Sequence, residues 1–537
     1  MSAPTGSSAP GSPAGRLRAA HAELLARTPE SAVQPRLDPV RRALELLGDP
    51  HRAYPVVHVG GTNGKTSTAR IAERLLREHD LRTGRFTSPH LHSVTERISV
   101  DGLPLADEAF ADLHEDVAPY LALVDGELRT AGEVPLTYFE ALAVMAFAAF
   151  AEAPVDVAVV EVGLGGAWDA TNVVESAVQV VTPVSLDHTD LLGDTVEEIA
   201  GEKAGILRRN AIAVVGRQPD GVDDVLRERA ASLHVRLVRE DEHFALAGRS
   251  VAVGGQLIAV QGLAARYEDV FLPLHGEHQA HNAALAVVAV EALLGGGERA
   301  LDGSVLETAL GDVASPGRLE VLRPSPLVLV DAAHNPAGVE SLVQALEEAF
   351  DVRHGVGVVG VLEGKDAEAV LALLEPALEE VVITRSSSPR AVDVEVLAEL
   401  ARDVFGEDRV HVVERLDQAL ATAVDLADVG GGGSGGVLVT GSVTVAAEAR
   451  QLLGAPAVDA PARTRGAPVP APPEEDEGDA DERDPLDILG YRLDADEDGV
   501  GDPRGGVGGV EPDPEDDLGD PGEPGYLDDD GEGGGRR

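Results

Sequence analysis

Short apolar runs recur along the chain, each closed by glycine or a polar cluster, and amphipathic stretches lie between them. The first run is Val56 to Val59, β-branched and followed by Gly60 and Gly61, which predicts a buried strand. Residues 66–78 follow with apolar positions at helical spacing. Upstream, 17–26 and 39–47 read as helices. The second opens on Asp38-Pro39, an N-cap with proline at the first helical position, and stops at Gly48. Downstream, strands are expected at 82–86 and 96–100, helices at 110–124 and 137–151, and strands at 155–160, 179–182 and 211–215. A helix starts at Thr195 and carries Lys203. Residues 235–274 alternate in short runs, the signature of a small β region, and 276–294 is helical again.

Ser315-Pro316-Gly317-Arg318 reads as a linker, after which the pattern restarts. Strands at 327–330, 356–361, 380–384, 410–413 and 437–440 alternate with helices at 338–349, 366–375, 392–404 and 415–427. That alternation predicts a second parallel α/β domain, with Gly430 to Gly436 as a flexible loop inside it. The expected fold is therefore α/β: a phosphate-loop-type, mostly parallel sheet domain over 15–314 and a smaller Rossmann-like α/β domain over 315–453. Residues 1–14 and 454–537 are expected to be disordered, being rich in Pro, Gly and Ser or in Asp and Glu.

Composition narrows the possibilities. A chain of 537 residues needs more than one domain, and 44% hydrophobic content suffices for real cores. There is no cysteine, so disulfides and thiolate metal sites are excluded, which fits a cytoplasmic location. No signal-peptide pattern and no run of transmembrane length is seen. The net charge is −51, of which about −20 falls between Glu474 and Arg537. An acidic chain argues against nucleic-acid and anionic-membrane partners. In the tail, Asp494, Asp496, Asp498 and Gly499 imitate the opening of a calcium loop, but its twelfth position is Gly505 rather than a bidentate glutamate.

The chemistry concentrates after the first strand. Strand, glycine turn, Lys65, hydroxyls and helix form the layout of a phosphate-binding loop, in which turn amides, helix N-terminus and lysine converge on an anion. A strict Walker pattern would place glycine at Val59, so the generic form fails and only Gly61-Thr62-Asn63-Gly64-Lys65-Thr66 remains. Only three lysines occur, Lys65, Lys203 and Lys365, against 40 arginines. Arginine is neither a compact point charge nor a reactive neutral amine near pH 7, so these positions are ones where it would fail. Ser88 precedes a proline and is held extended. Glu161 ends a buried strand, where α/β sheets place ligand groups. Ser88, Glu161 and His188 offer a hydroxyl, a carboxylate and an imidazole near one sheet edge.

These segments resemble the folylpolyglutamate synthase and dihydrofolate synthase family of the Mur ligase superfamily. The resemblance spans roughly residues 35–450. It rests on the phosphate loop, Thr87-Ser88-Pro89-His90-Leu91, Glu161-Val162-Gly163-Leu164-Gly165-Gly166 with Asp169-Ala170-Thr171-Asn172, Glu202-Lys203-Ala204-Gly205-Ile206, and Asp331-Ala332-Ala333-His334-Asn335-Pro336. It implies an ATP-dependent amide ligase that phosphorylates a pteroate or folate carboxylate and lets L-glutamate displace the phosphate. It also implies, by match, ATP contacts at Thr62, Asn63, Gly64, Lys65, Thr66, Asn282, Arg318 and Asp331, and two Mg²⁺ sites involving Ser88, Glu161 and His188. Catalytic roles fall to Lys65, Lys203 and His188, with Lys203 carbamylated. Pterin contacts fall to Thr137, Tyr138, Phe139, Glu140, Trp168, Asp169 and Ala170, and glutamate contacts to His334 and Ser442. Dihydropteroate, folates and L-glutamate are the implied partners, and the implied state is a monomer. Thr66 departs from the glycine common after this lysine. The alternatives are a Mur-type ligase acting on a peptidoglycan precursor, disfavoured by the 87–91 and 137–140 segments, and an ATP-binding scaffold, disfavoured by intact Ser88, Glu161, His188 and Lys203.

Overall fold

The run Val56–Gly60 (β1) is central to an eight-stranded sheet in the computed structural model, which describes residues 11–30, 32–428 and 435–459. The other strands are β2 (Thr83–Phe86), β3 (Ile98–Val100), β4 (Leu103–Pro104), β5 (Val157–Glu161), β6 (Val178–Val181), β7 (Ile212–Val215) and β8 (Arg236–Arg239). Their order is β4-β3-β2-β5-β1-β6-β7-β8, parallel from β2 to β8, with β3 and β4 added antiparallel. Val57 and Val59 pack with the helices Lys65–Glu78 and Glu277–Gly295, while Val56 faces the helices Asp107–Ala131 and Tyr138–Glu152. Apolar side chains are needed on both faces, which is why the strand reads as a continuous run.

Register aligns the strand ends. Phe86 pairs with Val160, Val59 with Glu161 and Gly60 with Val181. The segments after β1, β2, β5 and β6 therefore leave from one edge. Strands β9 (Ala245–Ala252), β10 (Gly255–Gln261) and β11 (Arg266–Leu272) form the small antiparallel sheet expected for 235–274. Its Ile258, Val260 and Val270 share a core with the helix Glu277–Gly295.

The second lobe is a six-stranded sheet of β12 (Glu320–Pro324), β13 (Leu327–Val330), β14 (His354–Val359), β15 (Glu380–Arg385), β16 (Val410–Arg415) and β17 (Gly435–Thr440). The order is β12-β13-β17-β14-β15-β16, parallel except for β12 at the edge. Separate cores cover its two faces.

Several elements differ from the pattern reading. The helix Asp107–Ala131 runs further than 110–124, through Pro119. The helices Asp220–Leu233, Gly303–Gly311 and Val443–Leu452 and the strand β12 were not anticipated, and β8, inside the β region expected for 235–274, joins the first sheet. The first helix begins at Pro13, inside the segment expected to be disordered, with Ser12 as its N-cap. Gly435 and Gly436 belong to β17 rather than to a loop. The rest of that loop, residues 1–10 and the calcium-like segment at 494–505 lie outside the described residues. No helix among the described residues is long and apolar enough to cross a membrane.

Candidate active site

The phosphate loop is shaped by two close approaches. A Cβ on Gly61 (φ +133°) would lie 2.0 Å from Thr182 Oγ1, and one on Gly64 (φ +87°) would lie 2.3 Å from Asn282 Oδ1. Both positions demand glycine on space and backbone grounds. Asn282, from the helix Glu277–Gly295, thus packs directly on the loop. The Thr62 and Asn63 amides donate to Pro183 O at 3.0 and 3.3 Å, which ties the loop to the segment after β6. Lys65 Nζ turns back over the loop and donates to Gly61 O (3.2 Å) and Thr62 O (2.9 Å). Burial pushes its ammonium below the usual range, and Glu161 and Asp187 oppose that shift.

Glu161 is 1% exposed. Its carboxylate accepts from Thr66 Oγ1 (2.8 Å) and from the Ser88 amide (3.1 Å). Burial raises its pKa, partly countered by Lys65 and by these two bonds. A buried carboxylate with the Thr66 hydroxyl beside it is the kind of oxygen donor a hard cation such as Mg²⁺ prefers, with phosphate completing the shell. The residues present fit such an ion. No group of three or more His, Cys, Asp or Glu suited to a metal occurs among the described residues, so hydroxyl and phosphate oxygens would have to contribute. His188 has left-handed backbone (φ +52°), and its Nε2 lies 3.2 Å from Lys365 Nζ. Burial and then Lys365 lower its pKa to about 4, so the imidazole is neutral at pH 7 and able to act as a ligand.

Lys203 ends the helix Val196–Lys203, started by a capping box of Thr195 and Glu198. It is 4% exposed, and its Nζ donates to Gly61 O at 2.9 Å. Two lysines therefore share one carbonyl. Burial first, and Lys65 second, bring the Lys203 pKa down to about 7.

The second sheet presents its own C-terminal strand ends to this edge. Asn335, after β13, exchanges two side-chain hydrogen bonds of 3.1 Å with Asn63 and donates from Nδ2 to Asp187 Oδ2 at 3.0 Å. His334 Nε2 is 3.6 Å from the same oxygen. Lys365, in the loop after β14, places Nζ 2.5 Å from Asp187 Oδ1. Asp187 is thus the junction of the two lobes. Burial opposes its charge, but His334 and Lys365 outweigh that and hold it far below the usual carboxylate range. Asp331 fixes the linker by accepting from the Leu319 and Ala333 amides, both at 2.7 Å, and Arg318 offsets its burial. Ser442, after β17, caps the helix Val443–Leu452 and bonds Thr444 at 3.2 Å.

The residues matched to pterin divide into two sets. Thr137 and Glu140 form a buried capping box, and Glu140 also pairs with Arg36 through Nε at 3.1 Å. Asp169 caps the turn Ala170–Val173, which buries Ala170, and accepts from the Leu164 amide at 2.9 Å. These side chains hold local backbone. Phe139 and Trp168 keep part of their surface exposed, whereas Tyr138 is buried at 5% exposure. The Tyr138 hydroxyl is 3.2 Å from His21 Nε2, and the Arg97 guanidinium lies over its ring at 5.2 Å. Phe139 packs on Gly163 and on the Phe86 ring at 5.7 Å, and Trp168 packs on Gly165. Glu140→Ala is expected to lower unfolding stability by about 2 kcal/mol, the cost of losing the capping box and the closer of the two carboxylates beside half-buried Arg36, which keeps only the Glu133 carboxylate at 3.7 Å. Urea titration would show the lower midpoint at unchanged slope. An unchanged midpoint would return Glu140 to a ligand role.

Lys365 stands out in the sequence only as one of three lysines, and Asp187 has no role assigned there. The signal for Lys365 was its place among three lysines, all of which meet at this edge. Glu96 gave no signal: it is buried and accepts from the Leu91, His92 and Ser93 amides, each at 2.9 Å, so it shapes the loop that holds Ser88.

Comparison with known proteins gives consistent matches. Residues 59–290 match the Mur ligase middle domain, and 317–443 match the Mur ligase glutamate ligase domain. The chain is 47% identical over 447 residues to the dihydrofolate synthase/folylpolyglutamate synthase of Mycobacterium tuberculosis, covering 80% of this chain and 92% of that one. It is 32% identical over 426 residues to the Bacillus subtilis protein of the same name, covering 78% and 95%. Among solved structures, Mycobacterium tuberculosis folylpolyglutamate synthase complexed with ADP matches with a TM-score of 0.80 at 46% identity, covering 83% of this chain and all 100% of that one.

Proposed function

The chain belongs to the folylpolyglutamate synthase/dihydrofolate synthase family of Mur ligases, and from that premise we propose how its residues divide the work. It is an ATP-dependent ligase that joins L-glutamate to folates. Dihydropteroate is a second acceptor in this reading, the working unit is a monomer, and the location is cytoplasmic. The observation that carries it is the meeting of two sheet edges at Asp187, with Lys65 and Glu161 behind it on one side and His334 and Lys365 on the other.

A carboxylate is a poor electrophile at neutral pH, and transfer of the γ-phosphoryl group to it supplies a leaving group. The glutamate amine then forms the amide bond as the carbon–oxygen bond to phosphate breaks. The enzyme contributes positioning and charge stabilisation. Thr62, Asn63, Gly64 and Lys65 cradle the phosphates. Asn282, Arg318 and Asp331 hold the nucleotide between loop and linker. Glu161, Ser88 and Thr66, with neutral His188, would hold Mg²⁺, which neutralises phosphate charge when bound. Phe139 and Trp168 offer flat apolar surface to a pterin ring, with Tyr138 buried next to Phe139. His334 and Ser442 lie at adjacent strand ends in the second lobe, on the side from which the amine approaches.

The test is product analysis with dihydropteroate and with tetrahydrofolate as separate acceptors. ATP cleavage should require both acceptor and glutamate. Oxygen-18 in the acceptor carboxylate should appear in released phosphate. Amide formation without that label would exclude the acyl phosphate, and ATP cleavage indifferent to both substrates would exclude the ligase.

A further inference from the structure

The ordered course of the second lobe does not stop at its last helix. After Leu452 the chain turns at Gly454 and runs back to the first lobe. The Ala455 amide donates to Arg450 O (2.9 Å), and Arg450 Nη2 donates to Pro456 O (3.0 Å). Val458 is 6% exposed. The Asp459 carboxylate then bridges two arginines of the first lobe, Arg70 through Oδ1 and Arg85 through Oδ2, the latter at 2.6 Å. Both arginines are buried, at 7% and 3% exposure.

The positions of these arginines matter. Arg70 lies one helical turn after Thr66, and its Nε also donates to Ala314 O (2.9 Å), immediately before the linker. Arg85 is on β2, which leads into Thr87 and Ser88, and it pairs with buried Glu73 at 3.1 Å. On the other side, Arg450 pairs with Glu320, which accepts from the Gly317 amide of the linker at 2.7 Å. Val458 walls a cavity at the seam together with Thr66, Arg70, Thr87, Pro89 and Arg318. Segment, linker and both lobes are therefore tied in a single ring of contacts beside the phosphate loop. Burial opposes the charge on Asp459, but Arg70 and Arg85 outweigh it and hold the carboxyl below its usual range. A buried ion pair adds little net stability against an apolar replacement, so its best-attested use is to select one arrangement of the parts it joins.

We propose that Gly454 to Asp459 is a strap that sets the closure of the two lobes, with Asp459 as a positioning residue for the ligase reaction. Through Arg70 and Arg85 it holds the helix of Thr66 and the strand before Ser88 against the second lobe. A small misplacement of these groups costs rate without changing the chemistry. The effect on rate rests on the ligase reading, whereas the effect on lobe geometry does not.

The chain has no cysteine, so Leu123→Cys and Val396→Cys, exposed at 57% and 54% on separate lobes, can carry the only two spin labels. With a non-hydrolysable ATP analogue bound, the full chain should give one narrow inter-label distance distribution. Asp459→Asn should add a second, broader population and lower kcat about tenfold, and Asp459→Glu should restore most of both. Should the asparagine variant fail to fold, Val458→Ala trims the strap without leaving a charge unpaired and should broaden the same distribution. A distribution unchanged by these variants overturns the strap, whatever the rate does. An inactive parent enzyme would leave the distance readout intact, so the two readings fail separately.

Discussion

Lys65→Ala is expected to lower kcat for glutamate addition by about 10²–10³-fold, the loss typical of removing one preorganised charge from a transferring group. The same change should leave the fold at least as stable. The two effects have one cause. Lys65 is half-buried over its own loop, with carbonyl oxygens of Gly61 and Thr62 as its hydrogen-bond partners and with Lys203 on the same Gly61 carbonyl. Desolvation is the largest influence on its ammonium, so without a phosphate the charge is a burden on the folded state. Its folded pKa lies below the unfolded value of 10.5, so the unfolded chain binds more protons in that window. Stability therefore rises as pH climbs from the folded pKa towards 10.5, and Lys65→Ala should flatten part of that rise. Lys65→Arg should not restore turnover, since a planar guanidinium does not fit a loop packed against Thr182 and Asn282. Acceptor-dependent phosphate release, read beside a denaturation midpoint, checks both halves. Turnover within tenfold of the parent would remove Lys65 from the chemistry.

What the sequence disclosed follows from where each signal was strong. β1, the phosphate loop and the helix behind it stand out because Val56 to Val59 are buried on both sides and the glycines have no substitutes. The alternation of the second lobe was equally plain, since its central strands are short valine-rich runs buried along nearly their whole length. The helix Asp220–Leu233 was missed because it buries only Val222, Leu226 and Ala230 under a face of Asp, Glu and Arg. β12 is an edge strand with weak burial, and Glu320–Pro324 buries no residue fully. Local motif reading also ran two kinds of residue together at 137–140. Thr137 and Glu140 satisfy a helix end and Tyr138 joins the core, while only Phe139 stays partly exposed. Asp187 and Lys365 stayed without roles because their meaning is tertiary. They lie 178 positions apart and touch only when the lobes pack.

Lys203→Arg should cost about 10²-fold in kcat, and the reason is the amine rather than the charge. With a pKa brought down to about 7, roughly half of Lys203 is neutral at pH 7. A neutral amine can add to dissolved CO₂: the nitrogen–carbon bond forms, a proton leaves the nitrogen, and a carbamate with one negative charge results. The product keeps an N–H to donate to Gly61 O, where Lys203 Nζ already lies at 2.9 Å, and it trades repulsion with Lys65 for attraction. Arginine retains the positive charge and cannot be deprotonated in this range. In CO₂-depleted buffer the parent enzyme should lose activity and regain it with bicarbonate. At a fixed concentration of dissolved CO₂, the rate of that recovery should rise with pH through about 7 and level above it, following the deprotonated fraction. Unmodified protein should also gain stability between pH 7 and 10.5, because the unfolded chain binds the extra proton there. Carbon-13 bicarbonate should give one carbamate resonance in the parent and none in Lys203→Arg. A parent enzyme that shows no such resonance and works equally well without CO₂ would leave Lys203 as a simple tie between its helix and the phosphate loop.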